Sequence, residues 1–180
     1  ASDVYKRQRD DLTQRWGLDP HKTPVHLFEL DGSPCDTMIV ALDGGLNHLV
    51  PGAHPQMVVS GVNLGPNLSQ DSYHSGTMGA AREAGLYGVP AIASSFTKFD
   101  AEGMEKAIQA TLEAVAVAAK VLPPQAKNLG RPNGSTNAGY YEDWPMETGA
   151  PQWAENPNRF LRSAFADGDL MLNVNVPPTW

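Results

Sequence analysis

The chain has 180 residues, of which 41% are hydrophobic, and carries a formal net charge of −7. This composition predicts one globular domain with a buried core, and the acidic balance argues against a surface that coats nucleic acid, although a small pocket could bind an anion. No stretch approaches the run of about 18 apolar residues that a membrane span requires, so no membrane partner is expected. The single cysteine, Cys35, cannot form an internal disulfide, and a cytoplasmic location is the default expectation.

The first 24 residues are atypical of a folded domain. The segment ASDVYKRQ is polar and lacks an apolar period, so no strand is predicted there, and it resembles a translated sequencing adapter. Together with the abrupt end after NVNVPPTW, this suggests a partial reading frame. We therefore expect a single incomplete domain, with a core over 25–122, an insertion over 125–168 and a last core strand over 169–177.

The first predicted elements are a strand over residues 25–30 and the helix that follows it. Ser33 is expected to be the N-cap of this helix and Pro34 its first residue, and Asp36 places a negative charge in the first turn, where the helix dipole favours it. The pair Gly44-Gly45 is expected to weaken the second half of the helix.

A strand, a glycine-rich loop, a helix and a second strand come next. The segment PQMVVSG is β-branched and predicts a buried strand that Ser60 and Gly61 close. A helix is predicted over residues 75–87, and VPAIASS predicts the following strand. This order is typical of a right-handed βαβ unit and therefore of a parallel sheet.

The remainder contains one long helix, an irregular segment and a last strand. Asp100 is expected to cap a helix over 101–122 that Pro123 ends. Residues 125–168 show little periodicity and predict an ordered excursion or insertion, and DLMLNVNVP returns as a strand. The fold class expected is an α/β sandwich on a mainly parallel sheet.

Small hydrogen-bonding residues gather where the βαβ unit turns. Asn63 and Asn67 are expected in the loop above the strand, and Ser75, Gly76 and Thr77 begin the next helix, where unpaired N–H groups and the dipole attract anions. An asparagine carbonyl is a hard oxygen donor suited to Mg²⁺ or Mn²⁺. A phosphate beside a divalent cation is one interpretation, and simple helix capping is the other.

Four motifs in this region resemble those of the SurE family of survival-protein nucleotidases. The segments DGSPCD, VVSGVNLGPNL, HSGTMGAA and YGVPAIASS follow one another in the order and spacing of that family, and LMLNVNVP is similar to its Leu-Asn-Ile-Asn-Val-Pro strand. The resemblance is close from Phe28 to Ser95. It implies a Rossmann-like three-layer sandwich, here truncated at both ends, and a phosphatase of nucleoside monophosphates that depends on Mg²⁺ or Mn²⁺.

The resemblance also implies roles for individual residues. Asn63 matches the family's metal-ligating asparagine, and Asn67, Ser75, Gly76 and Thr77 match its phosphate-binding residues. Full-length members commonly form homo-oligomers.

The departures from the family pattern concern charge. The family completes its metal site with an Asp-Asp-Gly motif after the first strand, and no catalytic residue is identified here because no such motif is present. The pair Asp10-Asp11 follows a basic run and fits a solvated helix start better than a metal site. The isolated chain is therefore expected to be inactive.

Three further interpretations stay open. His74, which replaces a family tyrosine, is either a general acid or a surface residue. The aromatic residues Tyr140, Tyr141, Trp144 and Trp153 either cover a pocket or fix the insertion to the core. The whole domain is either a nucleotidase or a non-catalytic nucleotide- or phosphate-binding module. A dinucleotide-binding domain is disfavoured because no Gly-x-Gly-x-x-Gly turn follows a strand.

Overall fold

The structure is a computed structural model that describes the backbone of residues 5–7 and all of residues 25–122 and 156–179. Several predictions lie outside these residues: the pair Asp10-Asp11, the aromatic residues at positions 140, 141, 144 and 153, and the expected insertion up to residue 155.

The first described elements form a small sheet of their own. Strand β1 (Tyr5–Arg7) pairs in antiparallel fashion with β2 (Leu27–Glu29). The strand predicted within residues 25–30 is confirmed. The prediction of no strand in the N-terminal segment is wrong, because backbone pairing with β2 forms a strand where the side-chain pattern gives no signal.

Helix α1 (Pro34–Val40) begins as predicted. The Ser33 side chain accepts a hydrogen bond from the Asp36 backbone N–H, and the Asp36 carboxylate accepts one from the Ser33 backbone N–H, which together form a capping box. The glycine-weakened second half becomes a π-helical turn (Ala41–Gly45) that leads into the one-turn helix α2 (Leu46–Leu49).

Three parallel strands form the main sheet in the order β3–β4–β5. They are β3 (Val58–Leu64), β4 (Ala91–Phe96) and β5 (Met171–Val176). Every residue of β4 is buried, which suits its small and apolar sequence and its central place. The predicted parallel sheet is confirmed.

Strand β3 is longer than predicted. It was expected to close at Ser60–Gly61, yet the ladder with β4 resumes after a bulge and continues to Leu64. Gly61 makes this possible: it has a φ of 117°, and a Cβ at this position would collide with the carbonyl oxygen of Ser94. Asn63 therefore lies within the end of a strand, and its expected position in the loop is wrong.

Four more helices complete the described structure: α3 (Asp71–His74), α4 (Gly76–Leu86), α5 (Met104–Ala118) and α6 (Pro157–Asp167). Alternate residues of β4 face opposite sides of the sheet. Ala91 and Ala93 pack in a cluster with residues of α4, whereas Ile92 and Phe96 pack in clusters with residues of α5. The expected three-layer α/β sandwich is confirmed.

The start and end of α5 differ from the prediction. Asp100 is not its N-cap: Nζ of Lys98 lies 3.1 Å from its carboxylate, which also accepts a hydrogen bond from the Glu102 N–H, so Asp100 stabilises the preceding turn. Gly103, in the left-handed conformation, caps the helix instead. The helix ends at Ala118 because the chain then tightens into turns with bonds between residues three apart.

Helix α6 was not predicted. It lies in a segment expected to be irregular, but Asn156 caps its start, Pro157 fits its first position, and Gly168 ends it in the left-handed conformation. Phe165 anchors it to the core beside Ile92. Within the described ranges, no helix is long and apolar enough to cross a membrane.

Candidate functional site

Polar side chains meet at the carboxyl ends of all three strands of the main sheet. Asn63 lies at the end of β3, Ser95 near the end of β4 and Asn175 near the end of β5. Helix α4 begins next to this edge, with the Thr77 hydroxyl 3.3 Å from Asn63 Oδ1. Because ligands of open α/β sheets bind beyond the carboxyl ends of the strands, this edge is the candidate site.

The start of α4 is capped and still open to a ligand. Ser75 Oγ accepts a hydrogen bond from the Met78 N–H at 3.1 Å, and its carbonyl oxygen accepts one from the Gly79 N–H at 2.8 Å. The N–H groups of Gly76 and Thr77 occupy the first two helical positions and have no acceptor within the helix. Capping and anion binding are therefore compatible, since they use different groups of the same turn.

Close packing against α1 fixes the position of this turn. A Cβ on Gly76 would lie 2.9 Å from Cγ of Pro34, and a Cβ on Gly79 would lie 2.5 Å from Sγ of Cys35. Glycine at both positions lets the starts of the two helices lie side by side. Cys35 contributes here by packing, in agreement with its interpretation as a small packing residue.

Asn63 presents its oxygen to the start of α4. Its Nδ2 donates hydrogen bonds to the carbonyl oxygens of Gly65 at 2.9 Å and Leu64 at 3.3 Å. This fixes the orientation of the amide, so that Oδ1 accepts the hydrogen bond from the Thr77 hydroxyl. The structure thus brings Asn63 together with the Ser75–Thr77 turn.

Asn67 occupies a different environment. It is only 3% exposed, and its Nδ2 donates to Ser95 Oγ at 2.7 Å. Its backbone N–H donates to Asn175 Oδ1 at 2.9 Å. Its side-chain amide therefore bonds to the sheet edge, and a direct contact with phosphate stays a prediction for this residue.

Sequence analysis missed three residues of the site: Ser95, Asn173 and Asn175. Asn173 Nδ2 donates to the Asn67 carbonyl oxygen at 2.9 Å, and Asn175 Nδ2 lies 3.4 Å from the same oxygen. A signal for the two asparagines was present, because Asn173 and Asn175 alternate in the strand segment LNVNV and must share one face of it.

Acidic residues near the site have other partners or stay at the surface. Asp36 is exposed, and hydrogen bonds from the Ser33 hydroxyl and backbone N–H lower the pKa of its carboxyl group. This agrees with its interpretation as a helix-start charge. His74 is exposed at the end of α3. Among residues 25–122 and 156–179, no group of three or more His, Cys, Asp or Glu side chains could hold a metal ion.

The fold and the site define a class of α/β proteins in which a capped helix start adjoins the carboxyl edge of a parallel sheet. Residues 6–180 match the family described as "Survival protein SurE". The chain belongs to that family, which confirms the resemblance seen in its motifs.

Curated relatives match this chain over part of their length. It is 40% identical over 99 residues to 5'-nucleotidase SurE of Anaeromyxobacter sp. (strain Fw109-5), covering 51% of this chain and 37% of that protein. It is 39% identical over 118 residues to 5'-nucleotidase SurE of Myxococcus xanthus (strain DK1622), covering 63% and 42%. The chain thus spans about two fifths of the length of these curated relatives.

A solved structure also matches. The crystal structure of SurE protein from Aquifex aeolicus aligns with a TM-score of 0.43 and 26% sequence identity, covering 63% of this chain and 40% of that one.

Proposed function

We propose that this chain is part of a phosphomonoesterase that hydrolyses nucleoside 5'-monophosphates, in which the start of α4 binds the phosphate. One observation carries the proposal. The N–H groups of Gly76 and Thr77 have no helical acceptor at a half-buried helix start that contains no acidic residue in its first turn. The names of the relatives, 5'-nucleotidase SurE, support the substrate class.

The chemistry of this turn suits a phosphoryl group. Two adjacent backbone N–H groups and the positive end of the helix dipole attract the phosphoryl oxygens. The Thr77 hydroxyl, which donates to Asn63 Oδ1 in this structure, can rotate to donate to a phosphoryl oxygen instead. These donors are fixed before the ligand arrives, because Ser75 caps the helix and Gly76 packs on Pro34. Fixed donors stabilise the charge that develops on the phosphoryl oxygens in the transition state.

The family's divalent cation, Mg²⁺ or Mn²⁺, requires a set of oxygen ligands, which can be compared with the residues present. Asn63 Oδ1 supplies one neutral oxygen at the right edge of the sheet, but the described residues hold no cluster of charged ligands beside it. They do not make up a cation site by themselves, since such sites need several oxygen ligands, usually including carboxylates. We therefore propose Asn63 as one ligand of a site that further residues must complete.

The remaining parts of the proposal follow the family. The protein acts in the cytoplasm as a homo-oligomer, and its ligand is a nucleoside monophosphate or another phosphomonoester. Nucleic acid is not a partner, because the chain is acidic overall.

A second candidate function is a phosphate- or nucleotide-binding module without catalysis. The observation that favours it is the same lack of a metal-ligand cluster among the described residues. The two functions share the phosphate site and differ in whether bond cleavage follows.

The test combines binding and turnover on the purified 180-residue chain. In a titration with inorganic phosphate followed by ¹⁵N-edited NMR, we expect the amide resonances of Gly76 and Thr77 to shift. The shifts should exceed those of Ser33 and Cys35, which lie at the start of the neighbouring helix α1. We expect no hydrolysis of AMP above background with Mn²⁺. An unresponsive α4 start would refute the phosphate site, and measurable AMP hydrolysis would show that the chain already holds a complete catalytic centre.

A further inference from the structure

We infer that Ser95, Asn173 and Asn175 form a clamp on Asn67 that positions the start of α4. We call these three residues the Asn67 clamp. None of them is assigned to the phosphate here; they act through Asn67 and are positioning residues. The inference deepens the proposed function, because the turn that is positioned is the proposed phosphate site.

The clamp holds the main chain and the side chain of Asn67 at once. Asn175 Oδ1 accepts the backbone N–H at 2.9 Å, Asn173 Nδ2 donates to the carbonyl oxygen at 2.9 Å, and Ser95 Oγ accepts from Nδ2 at 2.7 Å. Asn67 is 3% exposed and Ser95 is 0% exposed. Water cannot easily replace the bond between the buried side chains of Asn67 and Ser95. The loss of Asn175 would remove the acceptor of the Asn67 N–H, whereas the Asn67 carbonyl oxygen would keep its donors Ser72 and Asn173.

The two asparagines of the clamp also hold each other. Asn175 Nδ2 donates to Asn173 Oδ1 at 2.9 Å, which orients both amides toward Asn67. Since the side chains of alternate strand residues share a face, the strand itself sets this spacing. Such connected networks couple their members more strongly than isolated hydrogen bonds do.

Asn67 is linked in turn to the segment that leads into α4. Ser72 Oγ donates to the Asn67 carbonyl oxygen at 3.2 Å, and Arg82 of α4 donates to the Ser72 carbonyl oxygen at 2.9 Å. The turn just before Ser75 is therefore bound by Asn67 on one side and by α4 on the other. Loosening Asn67 removes one of these two supports.

The clamp makes the site depend on a distant part of the chain. Asn67 and Asn175 are separated by 108 positions in sequence. The local loop and helix motif does not assemble its final geometry without β5 in the sheet. We therefore expect changes on β5 to alter phosphate binding although β5 supplies no ligand to it.

The test compares two variants on the same strand in the 180-residue chain. Asn175→Ala removes a clamp residue, whereas Val174→Ala removes apolar contacts with the clusters around Ile92 and Phe96 on the other face of the sheet. Both should lower stability in urea. Amide hydrogen exchange without ligand is the first readout, and inorganic phosphate titration is the second.

We expect Asn175→Ala to speed exchange of the Asn67 N–H by roughly tenfold or more beyond the change in global stability, and to speed exchange at Met78 and Gly79. Phosphate should bind about fivefold more weakly than to the parent chain. Once its loss of stability is subtracted, Val174→Ala should change neither the exchange rates at these amides nor the phosphate affinity. Asn175→Asp keeps an acceptor for the Asn67 N–H but loses the bond that Asn175 Nδ2 donates to Asn173, so its exchange rate at the Asn67 N–H should lie between those of the parent chain and Asn175→Ala.

Equal exchange at Asn67, Met78 and Gly79 in the two alanine variants would overturn the clamp. The exchange readout needs no ligand, so it decides the inference independently of the phosphate site. If the parent chain failed to bind phosphate at Gly76 and Thr77, the proposed function would fail, while faster exchange in Asn175→Ala would still support the clamp.

Discussion

Two helix starts lie side by side in this structure, and they treat their first-turn N–H groups differently. Both begin with a serine N-cap, Ser33 for α1 and Ser75 for α4. In α1 the carboxylate of Asp36 completes a capping box, whereas the first turn of α4 contains no acidic residue. The negative charge of Asp36 offsets the positive end of the α1 dipole, whereas no acidic side chain in the first turn of α4 does so there.

This difference between the two helix starts is the basis on which the proposed phosphate site can be tested. A serine cap alone satisfies part of the first turn, and an acidic residue in the turn would neutralise the rest. In α4 that charge is absent and the turn is packed tightly against α1 at Gly76 and Gly79, which is the arrangement that the proposed phosphate site requires. The following predictions test whether the missing carboxylate is the decisive difference.

The largest effect is expected from placing a carboxylate in the α4 turn. Thr77→Asp should weaken binding of inorganic phosphate by at least about tenfold, because the new charge repels the ligand and occupies the dipole. The free energy of unfolding should not fall, because a negative charge in the first turn interacts favourably with the helix dipole. Calorimetric titration checks the affinity, and urea denaturation checks the stability.

Thr37→Asp is the matched control for this change, since it adds the same charge to the neighbouring helix α1. It should weaken phosphate binding far less. The loss of phosphate affinity in Thr77→Val, which removes only the hydroxyl, should lie between those of the two aspartate variants. Equal loss of affinity in both aspartate variants would mean that general repulsion, and not the α4 turn, governs binding.

A smaller effect is expected from separating the two helix starts. In Gly76→Ala the new Cβ would approach Cγ of Pro34 to 2.9 Å, and the proline ring has little freedom to move away. We expect a loss of about 1–2 kcal/mol in the free energy of unfolding and a several-fold weaker phosphate affinity. Denaturation and titration of the same sample measure both.

The control for Gly76→Ala is Gly52→Ala, where a Cβ would meet nothing within 4 Å but the backbone has a φ of 81°. That variant should lose stability through backbone strain and keep its phosphate affinity. A Gly76→Ala chain with unchanged affinity would show that the spacing between α1 and α4 does not matter for the site.

How much of this arrangement the sequence predicts depends on how far apart in sequence the interacting residues are. The cap at Ser33 and the parallel strands follow from local patterns and were predicted correctly, and capping by Ser75 was one of two interpretations of that residue. The end of β3 was not, because its continuation depends on a close approach of Gly61 to Ser94 in the neighbouring strand. Local sequence carries no sign of that contact.

The misplaced start of α5 has a local origin, whereas the missed clamp has a long-range one. Aspartate is favoured at N-cap positions, but the ion pair of Asp100 with Lys98 holds this residue in the turn before the helix. The clamp residues that hold Asn67 are on β4 and β5, and only a known strand order brings them together. Side-chain type alone therefore predicted neither the turn that Asp100 stabilises nor the partners of Asn67 in the sheet.

The third prediction compares the two serine caps directly. Ser75→Ala and Ser33→Ala should each cost about 1 kcal/mol in the free energy of unfolding, because each leaves an N–H of the first turn without its side-chain acceptor. Only Ser75→Ala should also weaken phosphate binding, by a few-fold, as the α4 turn loses its support. Paired urea denaturation and phosphate titration distinguish them. If Ser33→Ala weakened binding equally, the two helix starts would act as one site.

The smallest effect is expected from Asp36, and it depends on pH. Hydrogen bonds from Ser33 hold the pKa of the Asp36 carboxyl below its ordinary value, so its charged form stabilises the fold above that value. This stabilisation is lost as the pH falls below the ordinary aspartate pKa of about 3.9 and through the lower folded value. Asp36→Asn should therefore flatten the decline of Tm between about pH 5 and pH 3 slightly, since the group is exposed and solvent screens it. Asp31→Asn, at an exposed position before the same helix, is the control. An unchanged Tm profile in Asp36→Asn would mean that the capping box adds no charge-dependent stability, and that the α1 start differs from the α4 start in geometry more than in electrostatics.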